Sequence, residues 1–254
     1  MSSESSISIL PSNTIHLIKS TQVITSVYSI VKELTENALD AEATMLIVRL
    51  ESHGLKRVEV RDNGCGISET DLQLVCLPHT TSKITCFSDL DNLCSYGFRG
   101  EALSSLCQVS SVSISSKCRG ANLGYTCSYH SNGSVSSSKV AVSTAGSSIT
   151  VTDLFKQLPV RRQYHSDARR RKEQLKKIED LLMAYSLARP KLHVTFTNDK
   201  SVVFQKSPAE DTYQALHTVF PDFAGSLIHK SITRDQVELS VYLPRMTPGN
   251  SDNK

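Results

Sequence analysis

The sequence predicts an α+β fold, a mixed and largely antiparallel sheet layered with helices on one face, followed by the start of a second α/β domain. Three observations lead there. Residues 27–41 (VYSIVKELTENALDA), turned at about 100° per residue, put Val27, Ile30, Val31, Leu34, Ala38 and Ala41 on one helix face. Beyond residue 108 come four strand-like runs, VSSVSISS, LGYTCSYH, VSSSKVAV and SSITVTDLF, separated by turn signals such as Asn132-Gly133. After Ser207-Pro208 there is one helix-like and two strand-like segments, too few to bury a core of their own.

In chain order, residues 1–12 read as a polar, flexible arm, and the first domain boundary is set at 13/14. Residues 14–19 (TIHLIK) read as a short strand or helical turn feeding the helix at 27–41. Residues 44–50 (TMLIVRL) form a buried strand, His53-Gly54 a turn, and 55–61 (LKRVEVR) the second strand of a hairpin. Asp62-Asn63-Gly64-Cys65-Gly66 is turn chemistry, with glycines that permit positive φ and close approach to a ligand. Residues 68–77 read as a helix with Ser68 as N-cap and Asp71 three residues on. Gly97-Phe98-Arg99-Gly100 precedes a helix at 101–107, whose free N–H groups favour an anion. The four strand-like runs form an antiparallel meander, and 154–164 links it to a long helix at about 167–188. Residues 192–197 and 201–205 make a last hairpin. The organisation is thus an arm at 1–13, a main domain at 14–207, and the beginning of a truncated domain at 208–254: a helix at 209–220, strands at 226–230 and 237–243, and a polar tail.

Composition excludes several classes. With 39% hydrophobic and 21% charged residues the chain is an ordinary globular one. No apolar run approaches the roughly 20 residues of a membrane span, and MSSESSISIL lacks the basic n-region of a secretory signal. Seven cysteines, at 65, 76, 86, 94, 107, 118 and 127, contain no C-x-x-C pair. That argues against a disulfide framework and a zinc site, and for reduced thiols inside a cell. A net charge of +3 does not demand nucleic acid. Its distribution is more informative, because residues 161–177 hold eight Lys or Arg against Asp167 and Glu173. Such a run is either a solvated helix face or a phosphate-backbone contact surface, the latter through Arg161, Arg162, Arg169, Arg170, Arg171 and Lys172.

The second face of the 27–41 helix holds the chemistry. Glu33, Glu36, Asn37 and Asp40 fall together at i, i+3, i+4 and i+7. Carboxylates this close raise one another's pKa unless a cation sits among them. The Asn37 amide oxygen can bind a hard cation without adding charge, and Glu33, one turn earlier, can hold a water for proton abstraction. A solvated acidic face has the same pattern. Thr80-Thr81-Ser82-Lys83 adds hydroxyls and an ammonium in a loop, but neither it nor 97–100 fits the P-loop or G-x-G-x-x-G spacing.

Three stretches in this order resemble one family: KELTENALDA at 32–41, RDNGCGI at 61–67, and Thr81-Ser82-Lys83 with GFRGEAL at 97–103. The set is similar to the MutL family of DNA mismatch repair proteins, within the ATPase superfamily of gyrase B, Hsp90 and histidine kinases. The first two motifs belong to the superfamily, while GFRGEAL separates MutL-like proteins from the rest. LFKQLPVRRQY at 154–164 also resembles the family, over a match of about 14–243, and residues 18–32 look more like the eukaryotic Pms branch.

The resemblance implies the Bergerat (GHKL) ATPase fold followed by a ribosomal S5-like transducer domain, with ATP and Mg2+ as cofactors. It implies Mg2+ on Asn37 and Glu33 as the base that activates water. Asp62 would accept from the adenine amino group, Gly66 would let the base approach the backbone, and Ser147 would keep a hydroxyl contact on the adenine side. Thr81, Ser82 and Lys83, with Gly97, Phe98, Arg99, Gly100, Glu101, Ala102 and Leu103, would surround the phosphates. Glu42 stands where the family has Gly, and the chain stops before the second-domain lysine that reaches the γ-phosphate, so slow hydrolysis is expected. The expected partners are DNA, a second MutL-family subunit in a heterodimer and MutS-type mismatch-recognition proteins, in the nucleus and with no membrane. The reading to be weighed against an ATP-hydrolysing switch is a nucleotide-fold scaffold that binds DNA or a partner subunit without significant hydrolysis. A chaperone or topoisomerase is disfavoured by GFRGEAL.

Overall fold

The structure, a computed structural model, describes residues 9–142, 144–223, 227–235 and 237–244. Its elements are α1 (Ser12–Val23), α2 (Val27–Asp40), β1 (Met45–Glu51), β2 (Arg57–Asp62), α3 (Glu69–Leu72), α4 (Ala102–Val109), β3 (Ser111–Lys117), β4 (Gly124–Tyr129), β5 (Val135–Ala141), β6 (Gly146–Thr152), α5 (Pro159–Ser166), α6 (Ala168–Ala188), β7 (His193–Asn198), β8 (Ser201–Lys206), α7 (Thr212–Val219), β9 (Leu227–Arg234) and β10 (Val237–Pro244). Short 3-10 turns fall at Ser52–Gly54, Phe87–Asn92 and Pro221–Phe223.

One eight-stranded sheet runs β5-β4-β3-β6-β2-β1-β7-β8. Pairing is antiparallel except between β1 and β7, where Leu46 faces Val194 and Val48 faces Phe196 in parallel register. Alternation decides which face buries. Leu46, Val48 and Leu50, Val58 and Val60, Val112 and Ile114, Ile149 and Val151, and Val194 and Phe196 are buried in one core with α2, α4 and α6. On β2 the alternate side chains Arg57, Glu59 and Arg61 are charged, and Glu59 lies 3.1 Å from Arg57 and 3.5 Å from Arg49 of β1. The helices therefore lie on one face, as the α+β reading requires.

Ser26 and Ser29 start α2 with reciprocal caps: Ser29 N–H donates to Ser26 Oγ at 3.3 Å and Ser26 N–H to Ser29 Oγ at 3.1 Å. Val27, Ile30, Val31, Leu34 and Ala38 are buried as the helical spacing predicts, with Ile30 and Val31 fully so, whereas Ala41 is only half-buried. Glu36 is buried as well, contrary to its place on the polar face.

Four element readings need correction. Residues 14–19 belong to the twelve-residue helix α1, which begins at Ser12, inside the expected arm; residues 1–8 lie outside the described residues. The helix at 68–77 is cut to Glu69–Leu72, because past Gln73 the chain tightens into turns. The meander holds for β3, β4 and β5, but β6 returns to lie between β3 and β2, where its buried Ile149 and Val151 gain partners on both sides. The second half of the 154–164 linker is the start of α5, which runs on to Ser166, with Pro159 pre-set for the first turn. Beyond β8, α7 is followed by the separate β9–β10 hairpin, and residues 245–254 of the expected tail lie outside the described residues.

Candidate functional site

The crowded acidic face of α2 has a cation in it, and the cation is a lysine. Lys83 Nζ donates to Asn37 Oδ1 at 2.8 Å and to Asp40 Oδ2 at 2.5 Å. Asp40 also holds the segment before α4, since its Oδ1 accepts from Tyr96 N–H at 2.9 Å and its Oδ2 from Gly97 N–H at 3.1 Å. Gly97 allows this approach: a Cβ there would lie 2.8 Å from Lys83 Nζ and 3.3 Å from Asn37 Oδ1. Asn37 and Asp40 of α2, Lys83 and the 96–97 amides thus meet in one cluster.

Burial pushes the Asp40 carboxyl up, but the Lys83 ammonium and the two amides outweigh it and hold Asp40 below its ordinary 3.8. Because the docked state depresses this pKa, docking is fully stabilised above that value and loses support as pH falls through the depressed one. The Tyr96 and Gly97 amides are therefore expected to be protected from hydrogen exchange near neutral pH. They should lose protection below pH 3.8 while the β1–β2 ladder keeps its own.

A second cluster forms where β2 ends. Cys65 N–H donates to Ala41 O at 2.9 Å, tying the 62–66 turn to the end of α2. Asp62 is 7% exposed, and its Oδ1 accepts from Gly64 N–H at 2.8 Å and Ser147 N–H at 3.3 Å. Oδ2 has no hydrogen bond among the described residues. Burial pushes the Asp62 carboxyl up, and the two amides pull it part of the way back. Ser147 is buried with its Oγ 2.9 Å from Ser116 Oγ; Ser116 in turn accepts from Ile67 N–H at 2.8 Å and donates to Gly146 O at 3.0 Å. Ser116 belongs to none of the sequence motifs, although it follows Val112 and Ile114 on the inward face of β3. Gly66 has φ +80°, and a Cβ there would strike Lys117 O. The constraint visible at Gly66 is therefore the neighbouring strand end.

The other expected residues are placed less tightly. Glu33 is one-third exposed and 4.0 Å from Lys32 Nζ. Burial pushes its carboxyl up; Lys32, Arg99 and Lys83 pull down and Glu36 pushes up. Thr81 and Ser82 are exposed, and Thr81 Oγ1 accepts from Lys83 N–H at 3.1 Å. Phe98 and Arg99 stack on each other at 5.2 Å, and Gly100 leads to Glu101, the N-cap of α4. The Glu101 side chain makes no capping bond and lies 2.5 Å from His79 instead, so the first amides of α4, from Ala102 and Leu103 on, lack a side-chain cap. Glu36 has left the group: it faces α6 and takes the Tyr185 hydroxyl at 2.5 Å.

The basic run is divided. Arg161 lies over the Phe155 ring at 5.2 Å and Arg170 over Tyr164 at 3.3 Å. Arg161 Nη1 and Arg171 Nε are buried, Arg162 is half-buried, and Arg169 and Lys172 are exposed. Arg161, Tyr164 and Arg170 border a groove of about 1380 Å3 between the α1–α2 junction, α5 and α6.

Residues 24–158 match the family model described as histidine kinase-, DNA gyrase B-, and HSP90-like ATPase. Human PMS1 protein homolog 1 is 39% identical over 95% of this chain and 26% of its own length. The DNA mismatch repair protein MutL of Kosmotoga olearia is 36% identical over 85% of this chain and 35% of its own. The chain thus spans about a quarter to a third of these relatives. Among solved structures, the N-terminal domain of a DNA repair protein superimposes with a TM-score of 0.74 at 27% identity, covering 87% of this chain and 65% of that one. The Aquifex aeolicus MutL ATPase domain complexed with ADP gives 0.65 at 21% identity over 88% of this chain and 78% of that one, which establishes a shared fold. No helix among the described residues is long and apolar enough to cross a membrane.

Proposed function

The chain belongs to the histidine kinase-, DNA gyrase B- and HSP90-like ATPase family, in homology with the MutL and PMS mismatch-repair proteins, and on that premise we propose that it is a Mg2+-dependent, ATP-hydrolysing switch of DNA mismatch repair. The observation that supports this most is the meeting of Asn37, Asp40, Lys83 and the 96–97 amides at one point. An amide oxygen and a carboxylate that already hold an ammonium at 2.8 and 2.5 Å form a donor set a hard cation can use. Among the described residues no group of three or more His, Cys, Asp or Glu makes a self-sufficient metal site. An ion held mainly by phosphate oxygens would take Asn37 as its protein ligand. When bound, Mg2+ neutralises charge on the triphosphate.

The chain's own residues do the rest. Lys83 exchanges Asn37 for phosphate oxygens. Asp62 Oδ2 accepts from the adenine amino group, beside the Ser147 hydroxyl. The 97–103 segment offers its glycines and the uncapped amides of α4 to the phosphates, and Glu33 takes the proton of the attacking water. The test is Mg-dependent hydrolysis by this chain beside Glu33→Ala, expected to fall at least roughly ten-fold in the variant.

DNA binding, a second MutL-family subunit, MutS-type proteins and a nuclear setting belong to the same proposal. In the basic run, Arg169 and Lys172 are the side chains best placed to meet phosphates, because three of the others are engaged in packing. Replacing both with Ala is expected to lower the log-log salt slope of DNA affinity by about 2, measured by fluorescence anisotropy on duplexes of any sequence. DNA affinity that ignores nucleotide and survives Glu33→Ala favours the scaffold reading instead.

A further inference from the structure

We propose that Lys32, Glu36 and Tyr185 are a positioning set for Glu33, in which Tyr185 and Lys32 grip the Glu36 carboxylate from two sides and so fix the Lys32 ammonium beside Glu33. The proposal rests on Glu33 as the base. Glu36 is 7% exposed and takes the Tyr185 hydroxyl at 2.5 Å, from a helix 149 residues further along the chain. It also takes Lys32 Nζ at 2.7 and 2.8 Å on its two oxygens. A buried carboxylate gripped by two donors from within the fold is not free to turn toward a nucleotide, so Glu36 serves neither as base nor as metal ligand.

What Glu36 does is restrain Lys32. The ammonium stands 4.0 Å from Glu33 Oε1, beyond direct hydrogen-bond contact. The Lys32 side chain is 38% exposed and has no other carboxylate bonded to it among the described residues. Released from Glu36, it can close on Glu33, form a direct ion pair and occupy the lone pair that a water needs. Held at 4.0 Å, it leaves that lone pair open while its charge still orients the Glu33 carboxylate, an anchor that Lys32→Met removes. The Tyr185 ring also meets the Tyr96 ring edge-on at 5.5 Å, and Tyr96 N–H is the donor to Asp40. A single side chain of α6 thereby touches both the support of Glu33 and the segment docked on Asp40. These are positioning residues, because none of them reaches the reacting atoms.

The test separates nucleotide affinity from chemistry, using single-turnover hydrolysis and equilibrium Mg-ATP binding on the wild-type chain, Glu33→Gln, Glu36→Gln, Lys32→Met, Lys32→Arg and Tyr185→Phe. Glu36→Gln and Lys32→Met are expected to lose roughly ten-fold in the hydrolytic step with affinity within about three-fold. Lys32→Arg, which keeps the Glu36 pair, should recover most of the rate, and Tyr185→Phe should lose about three-fold. If Glu33→Gln is slow while Glu36→Gln and Lys32→Met hydrolyse like wild type, the positioning role is wrong and the base reading stands. A wild-type rate no higher than that of Glu33→Gln removes both. Equal losses of rate, affinity and melting temperature in all variants, with no recovery in Lys32→Arg, reduce the set to a structural tie between α2 and α6.

Discussion

Glu33→Gln is expected to slow Mg-dependent ATP hydrolysis by roughly 10²- to 10⁴-fold while leaving nucleotide affinity within about three-fold. The substitution keeps size and hydrogen-bonding capacity but cannot take a proton. Glu33 is one-third exposed and its salt-bridge neighbour is Lys32 at 4.0 Å, so the fold does not depend on it. Burial pushes the Glu33 carboxyl above its ordinary 4.5, which places the acid limb of the rate profile above that value. The sign follows from the ionised form being the base: activity rises with pH as Glu33 loses its proton. Rapid-quench measurement of a single turnover reads the step itself. A variant rate within about three-fold of wild type would mean that another group activates the water.

Asp62→Ala should act on binding. The carboxylate serves Gly64 N–H and Ser147 N–H with one oxygen and leaves the other for a ligand donor. Hydrogen bonds to a charged group contribute about 1.5–3 kcal/mol, or roughly 10- to 150-fold in affinity. The expected outcome is a loss of that size in ATP affinity, with ADP and AMP affected alike because the contact is to the base. Burial pushes the Asp62 carboxyl up, so wild-type affinity should begin to fall at a pH above the 3.8 of an ordinary aspartate. Affinity for ATP that falls while that for AMP holds would place Asp62 near the phosphates instead.

Local pattern exposes some of these residues and hides others, for reasons that can be named. The core face of α2 follows from its spacing, because Ile30, Val31, Leu34 and Ala38 bury wherever an amphipathic helix lies on a sheet. Asp62 is visible as a turn-forming Asp at a strand end, and Lys83 as a cation in a hydroxyl-rich loop. That Lys83 rests on Asn37 and Asp40, 46 and 43 residues away, is a tertiary fact no window contains. Glu36 shows the opposite error. The helical projection groups it with Glu33, Asn37 and Asp40, but Tyr185 draws it to the other side. In the basic run, counting charges omits that Phe155, just before it, and Tyr164, within it, take up Arg161 and Arg170. Likewise β6 looks like the fourth strand of a meander, and only the need to cover β2 and β3 together sends it back between them.

Titration of the wild-type chain with ATP by calorimetry, with and without Mg2+, tests the central claim most directly. Saturable binding below about millimolar nucleotide, weakened when Mg2+ is removed and weakened roughly 10- to 150-fold in Asp62→Ala, is the predicted result. No heat of binding at millimolar Mg-ATP would contradict the account, since the cluster around Asn37, Asp40 and Lys83 would then be a structural ion pair on an unoccupied fold.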